Sequence, residues 1–201
     1  MAEIPVAKFK EILRLVWSHL TAANVHLTIW EELRSTQERQ KLCDTYSGFF
    51  YWTRDAHVDR FINKVCVVTD TDKEQPSVVK LANMIQAHPT LAKGMDCKLV
   101  FQRLENHSQT RDQIRAVRDR RSSHWDINKV PPEPNIAECR ALLMELSSIL
   151  DDIWNAHEPN PNGGRSIYSV VPTGHAHTAY VLDKLTSTML SSGDQPTTKS
   201  R

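Results

Sequence analysis

Apolar residues recur over the first thirty positions at helical rather than strand spacing. Phe9, Leu13, Val16, Leu20, Ala23, Leu27 and Trp30 step by alternating fours and threes, and Ile12, Trp17 and Leu33 widen the stripe. Lys10, Arg14, Glu31 and Arg34 occupy the opposite side, so the segment predicts one long amphipathic helix. Pro5 suits its first turn, where a missing N–H costs nothing. Val25 and Thr28 are weaker helix formers and mark the middle as the place a kink would fall.

A second helix is expected from about Thr45 to Val68. It opens on the aromatic run Phe49, Phe50, Tyr51, Trp52 and continues its apolar face through Val58, Phe61, Ile62, Val65 and Cys66. Arg54, His57, Arg60 and Lys64 step by three, three and four, a basic stripe beside that face. Asp55 and Asp59 lie one turn apart, but no Glu-x-x-His pattern accompanies them, and local pairing with Arg60 or Lys64 is the simpler expectation. The polar run Asp70-Thr71-Asp72-Lys73 ends the helix, and Pro76-Ser77 starts a shorter one that stops at His88, before Pro89.

After Gly94, a longer helix begins near Asp96 with Leu99, Val100, Leu104, Ile114 and Val117 on its buried side. Its polar stretch from Asn106 to Thr110 leaves continuity open. It ends around Trp125-Asp126. Pro131, Pro132 and Pro134 then form an extended linker, and Asn135 with Glu138 resembles a capping box opening a periodic helix through Cys139, Leu143, Leu146, Leu150, Ile153 and Trp154. Asn160 to Gly164 reads as a loop, Ile167 to Val171 as a short extended piece, and Ala179 to Leu190 as a last helix. The sum is an all-α, up-and-down bundle of five or six helices, one domain over residues 1–190 with a polar tail over 191–201.

Composition changes this picture little. The chain has 201 residues, enough for a core without metal or disulfide support, and 40% hydrophobic with 24% charged residues is ordinary for a globular protein. A net charge of +1 gives no global attraction to nucleic acid, so any such binding depends on a local patch. Cys43, Cys66, Cys97 and Cys139 form no CxxC pair and are expected as reduced, mostly buried thiols. Charges near the N-terminus leave no signal-peptide core, and no apolar run nears the ~18 residues of a membrane span. A cytoplasmic protein with no membrane partner is expected.

The chemistry concentrates in RDQIRAVRDRRSSHWD, Arg111 to Asp126. Arg111, Arg115 and Arg118 step by four and three, so a helix aligns them, and arginine is the side chain suited to bidentate phosphate contact. Arg120 and Arg121 flank the row, while Asp112 and Asp119 partly neutralise it; the same charges would also serve as a solvated face laced with local pairs. His124 adds a group able to move protons near neutral pH. RNA carries its own nucleophile, the 2′-OH, so a histidine that takes its proton and an arginine that stabilises the charged phosphate suffice to cleave it without metal. Arg118 and His124 are six residues, roughly 120°, apart on a regular helix. They meet only if the backbone breaks near Ser122-Ser123 or a second copy completes the site. Elsewhere, His175-x-His177 has too few partners for a metal site, and Gly163-Gly164-Arg165 reads as a turn.

Arg118-Asp119, four residues, then His124 resembles the arginine–polar–x4–histidine motif of the HEPN superfamily. The aromatic helix, the polar turn at Asp70 to Asp72 and the short helix after Ser77 resemble its abortive-infection (AbiU2-like) branch. The likeness covers about residues 45 to 155. It implies an all-α bundle, a homodimer with paired motifs lining a cleft, and catalysis by Arg118 and His124 with Asp119 as the supporting polar residue. Asp119 stands where asparagine is commoner. RNA contacts are expected from Arg115, Arg121 and Arg111, with no cofactor and no metal, and with an antitoxin or other regulatory protein as a further partner. The leading expectation is thus a metal-independent endoribonuclease of toxin or phage-defence type. The alternatives are a non-catalytic dimeric module binding RNA, nucleotide or a partner protein, and a plain structural bundle.

Overall fold

A computed structural model describes residues 6–72, 74–123, 134–159 and 173–192. Among them the chain is all-α, with eight α-helices, a single 3-10 turn and no strand. The helices are α1 (Val6–Glu32), α2 (Gln37–Thr45), α3 (Ser47–Val68), α4 (Val78–Ala87), α5 (Cys97–Glu105), α6 (Ser108–Ser123), α7 (Ile136–His157) and α8 (Thr173–Ser192). Five or six helices were expected. The increase comes from α2, which the sequence reading passed over, and from a turn at Asn106-His107 that divides the long segment into α5 and α6.

Helix starts follow local capping chemistry. Ser77 caps α4 by accepting from the Lys80 N–H at 3.2 Å, and Asp96 caps α5 by accepting from the N–H groups of Lys98 and Leu99. Asn135 caps α7 through the N–H groups of Ala137 and Glu138, each satisfying donors that a helix leaves unpaired. Gly94, at φ 77°, takes the left-handed conformation that a side chain resists, in the turn leading to α5.

The chain forms two compact units. One comprises residues 1–24 and 61–170, the other residues 25–60 and 171–201, so the divisions fall within α1 and α3. In the first, α4 packs on α5, and α7 packs against α4, α5 and α6. Phe9, Leu13, Val16 and Leu20 of α1, Phe61 and Ile62 of α3, Ile114 of α6 and Leu142, Leu146 and Ile149 of α7 are all buried. Arg103 of α5 is held by α7: its Nε donates to Glu145, and its two terminal nitrogens reach Asp152 at 2.6 Å and Ser148 at 2.8 Å.

In the second unit, α2 packs on α8. One apolar cluster there joins Leu33, Leu42, Phe50 and Leu182, with Ile29 and Cys43 against them. Arg39 of α2, 8% exposed, donates to the buried Glu32 of α1, to Ser35 at 2.7 Å and to Asp183 of α8 at 2.7 Å. Of the aromatic run that opens α3, only Phe50 is buried; Phe49, Tyr51 and Trp52 are exposed. On α8, Leu182 is buried while Val181 and Leu185 face solvent. The extended piece expected over Ile167 to Val171 lies outside the described residues, as do most of the expected tail and the Gly163-Gly164-Arg165 turn.

Candidate nucleic-acid interface

The geometry of α6 organises the arginines. Thr110, Ile114 and Val117 step by four and three and are buried, which fixes how the helix is turned. Arg111, Arg115 and Arg118 fall within about 60° of one another, beside that buried stripe. Asp112 and Asp119 lie on the row's other side, so each is within reach of one arginine. Over Ser108–Ser123 the helix carries five arginines and two aspartates.

The members of the row differ in their surroundings. Arg111 is half-buried: one terminal nitrogen donates to the Leu104 carbonyl at 3.1 Å, and its buried Nε has no hydrogen-bond partner among the described residues. Burial, and secondarily the Arg115 charge, push its pKa below the ordinary arginine value. It therefore ties the start of α6 to the end of α5. Arg115 makes a looser 3.5 Å pair with Asp112. Arg118 has a side chain 32% exposed. Its Nε and one terminal nitrogen both donate to a single Asp119 oxygen, at 2.9 and 2.8 Å. That bond is the main reason its pKa rises above the ordinary value; Cys66 and Asp70 also lie within electrostatic reach.

Cys66 and Asp70 were not foreseen as neighbours of Arg118. They belong to the end of α3 and the turn after it, and no spacing along the chain links them to α6. The Cys66 thiol is buried. Burial pushes its pKa up, against the opposing pull of Arg118 and Arg115. Asp70 also accepts the Asp72 N–H at 2.9 Å, so its carboxylate is anchored in the turn that follows α3.

Arg121 is half-buried near the end of α6 and is aligned with the apolar stripe rather than with Arg111, Arg115 and Arg118. The helix continues to Ser123, so no break falls before that residue. His124, expected to complete the site with Arg118, lies outside the described residues.

Three members of the basic stripe on α3, His57, Lys64 and Arg54, meet neighbouring side chains. His57 shares a 2.8 Å hydrogen bond with His26 of α1, and burial lowers its pKa. Lys64 lies 3.1 Å from His19 Nδ1. Arg54 sits over the Tyr51 ring, 5.7 Å from its centroid. No group of three or more His, Cys, Asp or Glu among the described residues is placed to hold a metal ion. Nor is any described helix long and apolar enough to cross a membrane.

An all-α chain with an arginine row on the helix leading to Arg118-Asp119 and His124 is a HEPN-type module. The chain belongs to the AbiU2 family of that class, whose family model matches residues 7–163, a span that includes α6 and the segment holding His124. No curated protein and no solved structure matches it.

Proposed function

We propose that this protein is a metal-independent endoribonuclease of the toxin or phage-defence type. His124 is the proton-transfer group and Arg118 stabilises the phosphate, with Asp119 supporting it. The observation that carries this reading is the partly exposed arginine row on α6, a helix whose last residue, Ser123, immediately precedes His124 in sequence. A strand of RNA lies along that row, with its phosphates on Arg118 first and then on Arg115; Arg111 marks the row's beginning, and Arg121 meets the strand from beside the row. The 2′-oxygen attacks the adjacent phosphorus as its proton leaves to the imidazole, and the bond to the 5′-oxygen breaks. That leaving oxygen takes up a proton from solvent, and the imidazolium later returns its own to water. The products are a cyclic phosphate on the upstream fragment and a 5′-hydroxyl on the downstream one. The protein acts as a cytoplasmic homodimer, the second copy completing the site that a regular helix keeps 120° open, and an antitoxin or other regulatory protein restrains it.

One observation favours a second reading, a dimeric module that binds RNA, nucleotide or a partner without cleaving. Asp119 already occupies two nitrogens of Arg118 and offers a carboxylate where a phosphate would sit. RNA cleavage and RNA binding measured on His124→Ala separate the two. Loss of cleavage with binding retained supports the nuclease. A wild-type protein that binds RNA and never cuts it supports the silent module.

A further inference from the structure

In the second unit, one side of α3 holds large apolar rings in solvent. Phe49 is 68% and Trp52 64% exposed, and Ala56 and Arg60 are exposed as well. These four positions step by three, four and four, so they fall within about 80° of one another as one stripe. Phe50 and Val58, the buried residues of this part of α3, point more than about 100° away from the stripe's middle. Phe49 meets the ring of Phe50 edge to face at 5.2 Å between centroids, and Trp52 meets Tyr51 the same way at 5.3 Å. Both outward rings are therefore held in place rather than folded back onto the helix. Adjacent large rings kept in water mark a surface that another molecule covers.

The order of residues along the stripe identifies the occupant. Trp52 lies four residues before Ala56, and Arg60 lies four after it. We propose that a second copy of this chain docks here, α3 against α3 and antiparallel, about a two-fold axis at Ala56. That pairing brings Trp52 against the partner's Arg60, and a two-fold contact makes every such pair twice. A guanidinium over an indole face is the most favourable of the cation–π pairings. Ala56, at the axis, is small enough to let the two helices approach. An unrelated partner would need a cation and a ring at this same spacing, whereas a second copy supplies both.

This contact is separate from the pairing proposed across α6 and does not depend on it. Its size sets its strength. Phe49 and Trp52 together contribute roughly 250 Å² of exposed ring per copy, at about 150–250 Å² for a whole aromatic side chain. Stable interfaces bury about 800 Å² per partner, so the stripe forms the apolar centre of a small, reversible contact that fills as the protein is concentrated.

Sedimentation equilibrium of the full, RNA-free chain over a wide concentration range tests the contact. Wild type is expected to double in mass as concentration rises. Ala56→Glu sets two like charges together at the axis, and Trp52→Lys sets a second cation against Arg60; each is expected to weaken the doubling by at least about tenfold. Arg60→Ala removes two cation–π contacts and is expected to weaken it by about fivefold. All three positions are exposed, and far-UV circular dichroism checks that each variant keeps its helices. The proposal is overturned if folded Ala56→Glu and Trp52→Lys have the same mass as wild type at every concentration. The species that doubles reports on α6 separately. A dimer-to-tetramer step lost in these variants supports the α3 contact and leaves the pair across α6 in place. A monomer-to-dimer step lost in them supports the α3 contact and contradicts the pair across α6.

Discussion

Two sets of arginines in this protein have opposite surroundings. Arg39 is buried, and its three nitrogens are taken up by Glu32 and Ser35 at the end of α1 and by Asp183 of α8. Arg103 is similarly surrounded by Glu145, Ser148 and Asp152. Arg115 and Arg118 instead pair with carboxylates of their own helix, Asp112 and Asp119, and both remain partly exposed. A guanidinium satisfied by distant carboxylates holds elements together. One held by a local carboxylate can exchange that partner for a phosphate, because a solvent-exposed pair contributes only about 0.2–1 kcal/mol. Residue type alone does not separate the two roles; the origin of the partners does.

The sharpest way to break this contrast is Arg39→Ala. It leaves Glu32 buried with its charge partner gone, and the expected loss of stability in urea unfolding is about 3–5 kcal/mol. A loss below about 1 kcal/mol would remove Arg39 from the structural class. Arg118→Ala, in the same experiment, is expected to stay within about 0.5 kcal/mol of wild type.

A smaller effect is expected from neutralising two members of the row together with Arg121 beside it. Arg115→Gln/Arg118→Gln/Arg121→Gln removes three phosphate contacts, so the slope of log affinity for single-stranded RNA against log salt becomes shallower by about 2. Filter binding at several salt concentrations measures it, and an unchanged slope would make the row surface decoration. The smallest effect belongs to Asp119→Asn. Removing the carboxylate charge beside Arg118 should tighten RNA binding by no more than about fivefold, the upper end for an exposed pair. Weaker binding would mean that Asp119 positions Arg118 rather than competing for it.

What the sequence revealed follows the range of the interactions. Ser77, Asp96 and Asn135 were readable as helix starts because a cap bonds to N–H groups two or three residues away. The stripe from Phe9 to Trp30 was readable because burial follows the helical period: its seven members stepping by fours and threes are all buried, and Trp17 beside them is half-buried. Helix α2 was not. Its nine residues bury only Arg39 and Leu42, so no apolar stripe exists to be seen, and Arg39 depends on Asp183, 144 positions away. Four consecutive aromatics could not show which would face inward, since adjacent helical positions diverge by about 100° and only Phe50 does so. At the candidate site, the arginine row was legible from spacing. Cys66 and Asp70 were not, because they approach from α3.

The central claim is tested most directly by the chemistry of the RNA ends. Purified wild-type protein is incubated with an RNA of defined sequence in excess EDTA, and the fragments are analysed by mass spectrometry beside Arg118→Ala and His124→Ala. The expected result is cleavage in EDTA that leaves a 2′,3′-cyclic phosphate upstream and a 5′-hydroxyl downstream. Cleavage should slow by about 10²–10⁴-fold in His124→Ala. No cleavage at any protein concentration, cleavage only with added metal, or cleavage that survives His124→Ala would contradict it.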